Sequence, residues 1–374
     1  MSQAIHNRAK SAVSILASLL VCAGAIQAED WPCFRGPSRQ GLSQEKGIPA
    51  KWSATENVKW KTAIPGEGWS SPIVFGDDVF VTTATDGGKS LHLIRLDRKD
   101  GKVVWDREIT QQEPKYKQRP NSYATSTPIA DGRRVYMVAC DGQILATDLD
   151  GKVVWTNHEF DYYSQHGLAV SPVLYEDLVI VPFDWSSPGP EKAVGWQTPW
   201  DKAVILAVDK NTGVTRWRGS RGGSQIAHVT PQIARVGGIY QLVSGAGGVV
   251  QGFDLKTGER LWTVSSPGEG VVPSVVVGDG LAFTSSGFGS ETILAVRLGG
   301  RGDVTQTHVA WRVTDGVPHV PSLLYVSPRL YSISDEGIAN CIEGATGKIL
   351  WRQRLPGKYS PSPVYADGKV YFLS

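Results

Sequence analysis

Nine side chains able to bind or to do chemistry stand a few residues ahead of a recurring proline: Glu67 and Trp69, Asn121 and Tyr123, His166, His228, Glu269, His319 and Tyr359. The imidazoles of His166, His228 and His319 could meet around a metal, but their wide spacing matches no metal-binding motif, and none is assigned. Two convergent carboxylates could act as acid and base on a polysaccharide, which requires Glu67 and Glu269 to approach each other. The aromatic and amide groups suit recognition of a small ligand or peptide. No nucleophile elbow, H-E-x-x-H pair, phosphate loop, dinucleotide fingerprint or C-x-x-C is present. No catalytic residue is therefore assigned, and an enzyme is the less favoured class.

The elements that must position these residues are repeated. The segments DRKDGKVVW (97–105), DLDGKVVW (148–155), DKNTGVTRW (209–217), DLKTGERLW (254–262) and EGATGKILW (343–351) share one design, and degenerate copies end at Trp60 and Trp311. An acidic residue accepts turn N–H groups, glycine supplies positive φ, and the following residues alternate into a strand closed by tryptophan. Seven of the 13 tryptophans, at 60, 105, 155, 217, 262, 311 and 351, thus hold one equivalent position. Such a position implies packing between repeats. Upstream of each hairpin a Ser/Thr-Pro or Pro-Ser step opens an apolar run at Pro72, Pro128, Pro172, Pro231, Pro273, Pro321 and Pro363. Each unit therefore holds four short antiparallel strands, A to D.

Units of this kind predict an all-β chain, a β-propeller of four-stranded antiparallel blades. Six units run complete from Pro72 to Trp351, and a seventh begins at Pro363 with two strands, which leaves seven blades with an incomplete last one or a truncated eight-bladed ring. Residues 57–64 (NVKWKTAI) are expected to serve as a lone D strand in the last blade. The D–A connections and B–C loops share one face with the irregular insertions, and the A–B and C–D turns occupy the other, regular face. The glycines from Ser244 to Gly248 form a B–C loop rather than a phosphate cradle, because no helix follows. One insertion carries Lys115, Tyr116, Lys117 and Arg119; another carries Trp185, Trp196 and Trp200, a candidate partner surface.

Residues 1–28 are read as a secretory signal peptide: Arg8 and Lys10 precede an apolar stretch from Ala12 to Ile26, and cleavage is expected after Ala28. Val21 before Cys22 departs from a lipid-attachment box, so no lipoprotein anchor is expected. Residues 29–56 are then an N-terminal extended segment packing on a propeller of residues 57–374. The full chain has 38 basic and 36 acidic residues. Loss of Arg8 and Lys10 balances them, and a chain of zero net charge is unsuited to nucleic acid or to an anionic membrane surface. Cys33, Cys140 and Cys341 are too isolated for a disulfide framework and are expected to be free thiols, although a single bridge involving Cys33 stays open.

The A-x-D-x-x-T-G-x-x-x-W style of repeat, fullest at Ala207–Trp217, resembles the pyrroloquinoline-quinone type of propeller repeat. The opening WPCFRGP (31–37) and GEGWSSP (66–72) are similar to those of bacterial exported proteins with such repeats. The resemblance covers residues 30–374 and implies one of two functions. Quinoprotein dehydrogenases hold pyrroloquinoline quinone (PQQ) and calcium in the central funnel, whereas relatives like the outer-membrane β-barrel assembly lipoprotein are non-catalytic. This chain lacks the adjacent cysteine pair of many quinoprotein alcohol dehydrogenases, and its residues match no calcium-ligand motif. The expectation is an exported, periplasmic or extracellular, monomeric scaffold that binds a protein or peptide through its D–A/B–C face. The alternative is a PQQ-dependent dehydrogenase or other small-ligand propeller.

Overall fold

The computed structural model describes residues 28–119, 121–188 and 193–374; the expected signal peptide, apart from Ala28, lies outside them. Six sheets, each built on four antiparallel strands, follow one another, running from Ile73–Phe75 to Val103–Gln111, Ile129–Ala130 to Val153–Asn157, Val173–Tyr175 to Thr215–Ser220, Gln232–Val236 to Arg260–Ser265 (with a fifth strand, Gly302–Asp303, added in parallel), Val276–Gly278 to Val309–Val313, and Leu324–Val326 to Ile349–Arg354. A seventh sheet has two strands, Val364–Ala366 and Lys369–Tyr371. The chain is a β-propeller. No helix among the described residues is long and apolar enough to cross a membrane.

Turn chemistry sets each hairpin. Asp209 Oδ1 accepts the N–H groups of Asn211 (2.8 Å) and Thr212 (3.0 Å), and Gly213 follows at φ 75°. Asp254 does the same for Lys256 and Thr257. In all six complete sheets the ladder shifts by one residue immediately after the C-strand residue that faces the tryptophan, as at Ala207 opposite Trp217. This bulge twists the D strand and aims the indole sideways.

The core lies between sheets. Phe80 and Leu93 of the first meet Val135 and Leu145 of the second; Tyr136 and Val138 of the second meet Val179 and Phe183 of the third. The tryptophans supply much of this contact. Trp60, Trp155, Trp217 and Trp311 each lay the indole on a turn glycine of the next sheet, at Gly101, Gly213, Gly258 and Gly347. Each also donates its indole N–H to the carbonyl of the residue after the acidic one, at Arg98 (3.0 Å), Lys210 (2.9 Å), Leu255 (3.0 Å) and Gly344 (2.9 Å).

Three positions depart from that pattern. Trp105 covers Gly151 but finds no acceptor, because the Asp148–Gly151 turn is one residue shorter than Asp209–Gly213. Trp262 is fully buried but donates to Gln241 Oε1 within its own sheet, since the next C–D connection carries an insertion with helix Thr305–His308 and strand Gly302–Asp303. That short strand pairs in parallel with Arg260–Ser265, so the turn face is less regular than expected. Trp351 is 44% exposed.

Residues 57–64 form no ladder, contrary to the expected D strand. Their Trp60 nevertheless takes the place of a D-strand indole against Gly101. The reason is the missing neighbour: a D strand pairs with a C strand, and the seventh sheet has only A and B among the described residues.

Candidate functional site

A ladder of hydroxyls fixes where the innermost strands begin. The N–H of Ser71 donates to Thr127 Oγ1 (2.9 Å), Thr127 to Ser171 Oγ (3.0 Å), Ser171 to Thr230 Oγ1 (3.2 Å), Thr230 to Ser274 Oγ (3.3 Å), Ser274 to Ser322 Oγ (3.0 Å) and Ser322 to Ser362 Oγ (3.0 Å). The Ser/Thr-Pro and Pro-Ser steps of the sequence are this one feature. It ties seven sheets at one level around the channel, and the D–A connections rise from it.

The structure divides the nine expected mouth residues into groups. His166 and His228 come together, ring centroids 5.9 Å apart and nearly perpendicular, and Trp196 from the third sheet's B–C insertion stands edge-on to His166 at 6.3 Å. Asn121 Nδ2 donates to the His166 carbonyl at 2.5 Å. His228 Nδ1 is buried without a partner; burial, then the neighbouring His166, lowers its pKa from 6.5 to about 4. Burial lowers that of His166 as well. Both imidazoles are thus held towards the neutral form.

His319 belongs to a second cluster. Its ring lies against Phe288 at 4.9 Å, its Nε2 is 2.8 Å from Glu291 Oε1, and its backbone N–H donates to Asp335 Oδ2 at 2.7 Å. Glu269 pairs through its backbone with Phe288. Across the mouth, Glu67 pairs likewise with Ala84, Trp69 is 65% exposed, and Tyr123 donates to the Lys115 carbonyl with Lys117 Nζ 4.9 Å from its ring. Tyr359 is buried against Ile333 and Ala339 and is a core residue rather than a mouth residue. Among the described residues no three His, Cys, Asp or Glu side chains are placed to hold a metal.

The tryptophan insertion splits in two. Trp185 and Trp200 stack at 5.6 Å, and Trp185 donates to the Lys202 carbonyl (3.1 Å) and abuts Phe160. These two are half-buried beneath their own loop, which leaves Trp196 as the one directed at the mouth. Exposed aromatic side chains on this face are Trp69, Tyr116 (67%) and Phe288 (46%). Phe288, Glu291 and Asp335 had no sequence signal, since each sits in a B–C loop without a recurrent motif.

The opposite end of the channel is crossed by residues 31–43. Trp31 pairs with Val74 of the first sheet, the Ala130 N–H of the second donates to Pro32, Arg39 Nε donates to Gln232 Oε1 of the fourth, Gln40 Oε1 accepts from Val277 of the fifth, and Leu42 pairs with Tyr365 of the seventh. Cys33 is buried in this strap, and the three cysteines among the described residues, Cys33, Cys140 and Cys341, are free. Arg35, also buried, donates through Nη2 to the carbonyls of Gln40 (3.0 Å) and Pro363 (3.4 Å), and burial lowers its pKa to about 9.

One further pair went unread in the sequence. Arg221 and Asp184 are fully buried between the third and fourth sheets, with Nη2 donating to Asp184 Oδ2 (2.9 Å) and Ser244 Oγ (2.8 Å). Burial raises the Asp184 pKa to about 6, opposed by Arg221.

PQQ carries three carboxylates and, in quinoproteins, works beside calcium, so its site needs a cationic cradle and several oxygen ligands together. The mouth instead carries Glu67, Glu269, Glu291 and Asp335 with no three such groups placed together among the described residues, and burial holds His166 and His228 towards the neutral form. These residues do not fit a quinone–calcium pair.

Comparison with known proteins agrees with the repeat geometry. The chain matches the family model described as outer membrane protein assembly factor BamB over residues 44–115, 108–197, 191–300 and 246–374. BamB of Escherichia coli strain K12 and BamB of Shigella dysenteriae serotype 1 are each 29% identical over 113 residues, covering 30% of this chain and 23% of theirs. The match thus spans under a quarter of these curated relatives. Crystallographic BamB from Moraxella catarrhalis is 15% identical, covering 84% of this chain and 83% of that one with a TM-score of 0.59; quinohemoprotein alcohol dehydrogenase from Comamonas testosteroni is 13% identical, covering 93% and 77% with a TM-score of 0.60. The two structures share the fold with this chain. With tryptophans, turns and hydroxyl ladder in the same repeating frame, the chain belongs to the BamB family of PQQ-type propeller repeat proteins.

Proposed function

We propose that this chain is an exported, non-catalytic scaffold that receives a polypeptide partner on its D–A/B–C face in the cell envelope. The observation that carries the reading is the placement of Trp69, Tyr116 and Phe288: three exposed aromatic side chains from separate segments on one face around the channel mouth. Aromatic anchors on a rigid frame are the usual source of binding energy between proteins. Relatives named for outer membrane protein assembly support an envelope setting.

The test is site-specific photo-crosslinking in a bacterial host that carries this gene. Probes at positions 69, 116 and 288 are expected to give discrete adducts, and probes at 99 and 256 on the turn face none. Equal labelling from both faces, or none from the mouth, would overturn the proposal. Saturable uptake of PQQ with calcium by the purified chain, accompanied by alcohol-dependent dye reduction, would replace it with the dehydrogenase reading.

A further inference from the structure

Two arginines of the strap stand against the innermost strands, and no carboxylate of the described residues faces either. Arg35 is 6% exposed; its Nη2 donates to the carbonyls of Gln40 and Pro363, but its Nε and Nη1 are buried without an acceptor. Arg39 donates through Nε to Gln232 Oε1 at 3.1 Å, and Gln232 Nε2 donates in turn to the Ser38 carbonyl at 3.0 Å. Pro363 and Gln232 stand at the start of equivalent innermost strands, within two residues of the ladder hydroxyls of Ser362 and Thr230. Both guanidiniums therefore lie at one level of the channel, just on the strap side of that ladder.

Nothing nearby neutralises them. Cys33, beside Arg39, offers no negative charge, since burial pushes its thiol up to about 11 and its Sγ donates to the Gly36 carbonyl. The Arg35 guanidinium, lowered by burial to about 9, keeps its positive charge at neutral pH. Arg221 shows the usual solution in the same molecule: also buried, it meets Asp184 and Ser244. Both strap arginines carry a left-handed backbone as well, with φ 62° at Arg35 and 59° at Arg39. Strain and an unpaired buried charge thus fall on one residue, Arg35, a combination typical of ligand clamps. Beside it, Gly41 leaves a small space open. A Cβ there would lie 3.4 Å from Arg35 Nε and 3.0 Å from Nη2, with the Pro363 carbonyl at 3.0 Å.

We infer that the strap binds a small monovalent anion, a halide or the carboxylate of a short organic acid, between Arg35 and Arg39. The anion accepts from the open N–H groups of Arg35 and supplies the counter-charge that Asp184 supplies to Arg221. The confined space limits it to few atoms. The site is separate from the aromatic face at the mouth and does not depend on the partner proposed above.

In the test, the purified protein is compared in sodium gluconate, whose anion is too bulky for the space, and in formate, chloride or bromide at constant ionic strength. A saturable rise in Tm of about 3 °C or more is expected with at least one small anion. A rise with formate alone identifies a carboxylate as the occupant, and one with chloride and bromide a halide. Crystals grown in bromide or in formate are expected to show the effective anion in contact with Arg35 Nε or Nη1, bromide by its anomalous signal. Arg35→Met, uncharged and of similar reach, is expected to abolish the anion dependence. Arg39→Gln is expected to raise the anion concentration at half effect about fivefold. That variant and the crystals decide the matter should Arg35→Met fail to fold. A Tm indifferent to the anion, an effect retained in Arg35→Met or unchanged in Arg39→Gln, or no anion density at Arg35 would overturn the inference.

Discussion

Gly258 has φ 74°, and a Cβ built on it would fall 2.4 Å from the Trp217 ring. Both the backbone and the packing exclude a side chain there. Gly258→Val is expected to lose about 3 kcal/mol in urea unfolding, combining left-handed strain with overpacking. A second residue-scale prediction concerns His228. Its neutral form is favoured in the fold, since its pKa falls from 6.5 to about 4. The stability it confers is present above pH 6.5 and is lost as pH falls from there towards 4. Asp184, with its pKa raised to about 6, acts in the opposite direction as pH rises. The measurement is therefore the difference in Tm between wild type and His228→Gln across that range, expected to favour wild type less at pH 4.5 than at pH 7. The sequence placed His228 near the mouth because it precedes Pro231. It could not show that the imidazole meets His166, which arrives from a different connection.

At the scale of elements, the hydroxyl ladder binds neighbouring sheets through bonds between residues 40 to 59 apart. Ser274→Ala leaves the Thr230 N–H buried without an acceptor and is expected to cost about 1–3 kcal/mol, measured by denaturant midpoint at unchanged m-value. Ser274→Thr is expected to restore most of it. The strand starts were legible because proline marks them, but proline follows the hydroxyl at Ser71, Thr127, Ser171, Thr230 and Ser362 and precedes it at Ser274 and Ser322. Alignment on proline therefore hid the atom that repeats. The regular C–D turns were legible because their acid and glycine act locally, whereas the insertion holding Thr305–His308 carried no such signal. The lone D strand at 57–64 was misread because its residues have a strand's alternation, whereas pairing depends on a neighbour that local pattern does not report.

For the whole molecule, sheet contacts must survive between segments far apart in the chain, and the Asp184–Arg221 pair shows one cost of that. Asp184→Ala leaves a fully buried guanidinium without its counter-charge, and a loss of about 3–5 kcal/mol in equilibrium unfolding is expected. Asp184→Leu combined with Arg221→Met is expected to recover most of that loss, because it removes both charges. Neither residue carried a sequence signal, as one lies in a B–C insertion and the other in a D–A connection. The overall ring order was legible from the repeat alone. For the N-terminal segment expected to pack on the propeller, the partners were not: Gln40 bonds to Val277 and Arg39 to Gln232, separations of 237 and 193 residues that no local pattern encodes.

That strap makes the central passage a cul-de-sac. With residues 31–43 lying across its far end, the polypeptide partner proposed above would have to enter and leave by the mouth alone. Under that proposal guests would compete for one doorway, and a long polypeptide would engage by a loop or a terminus.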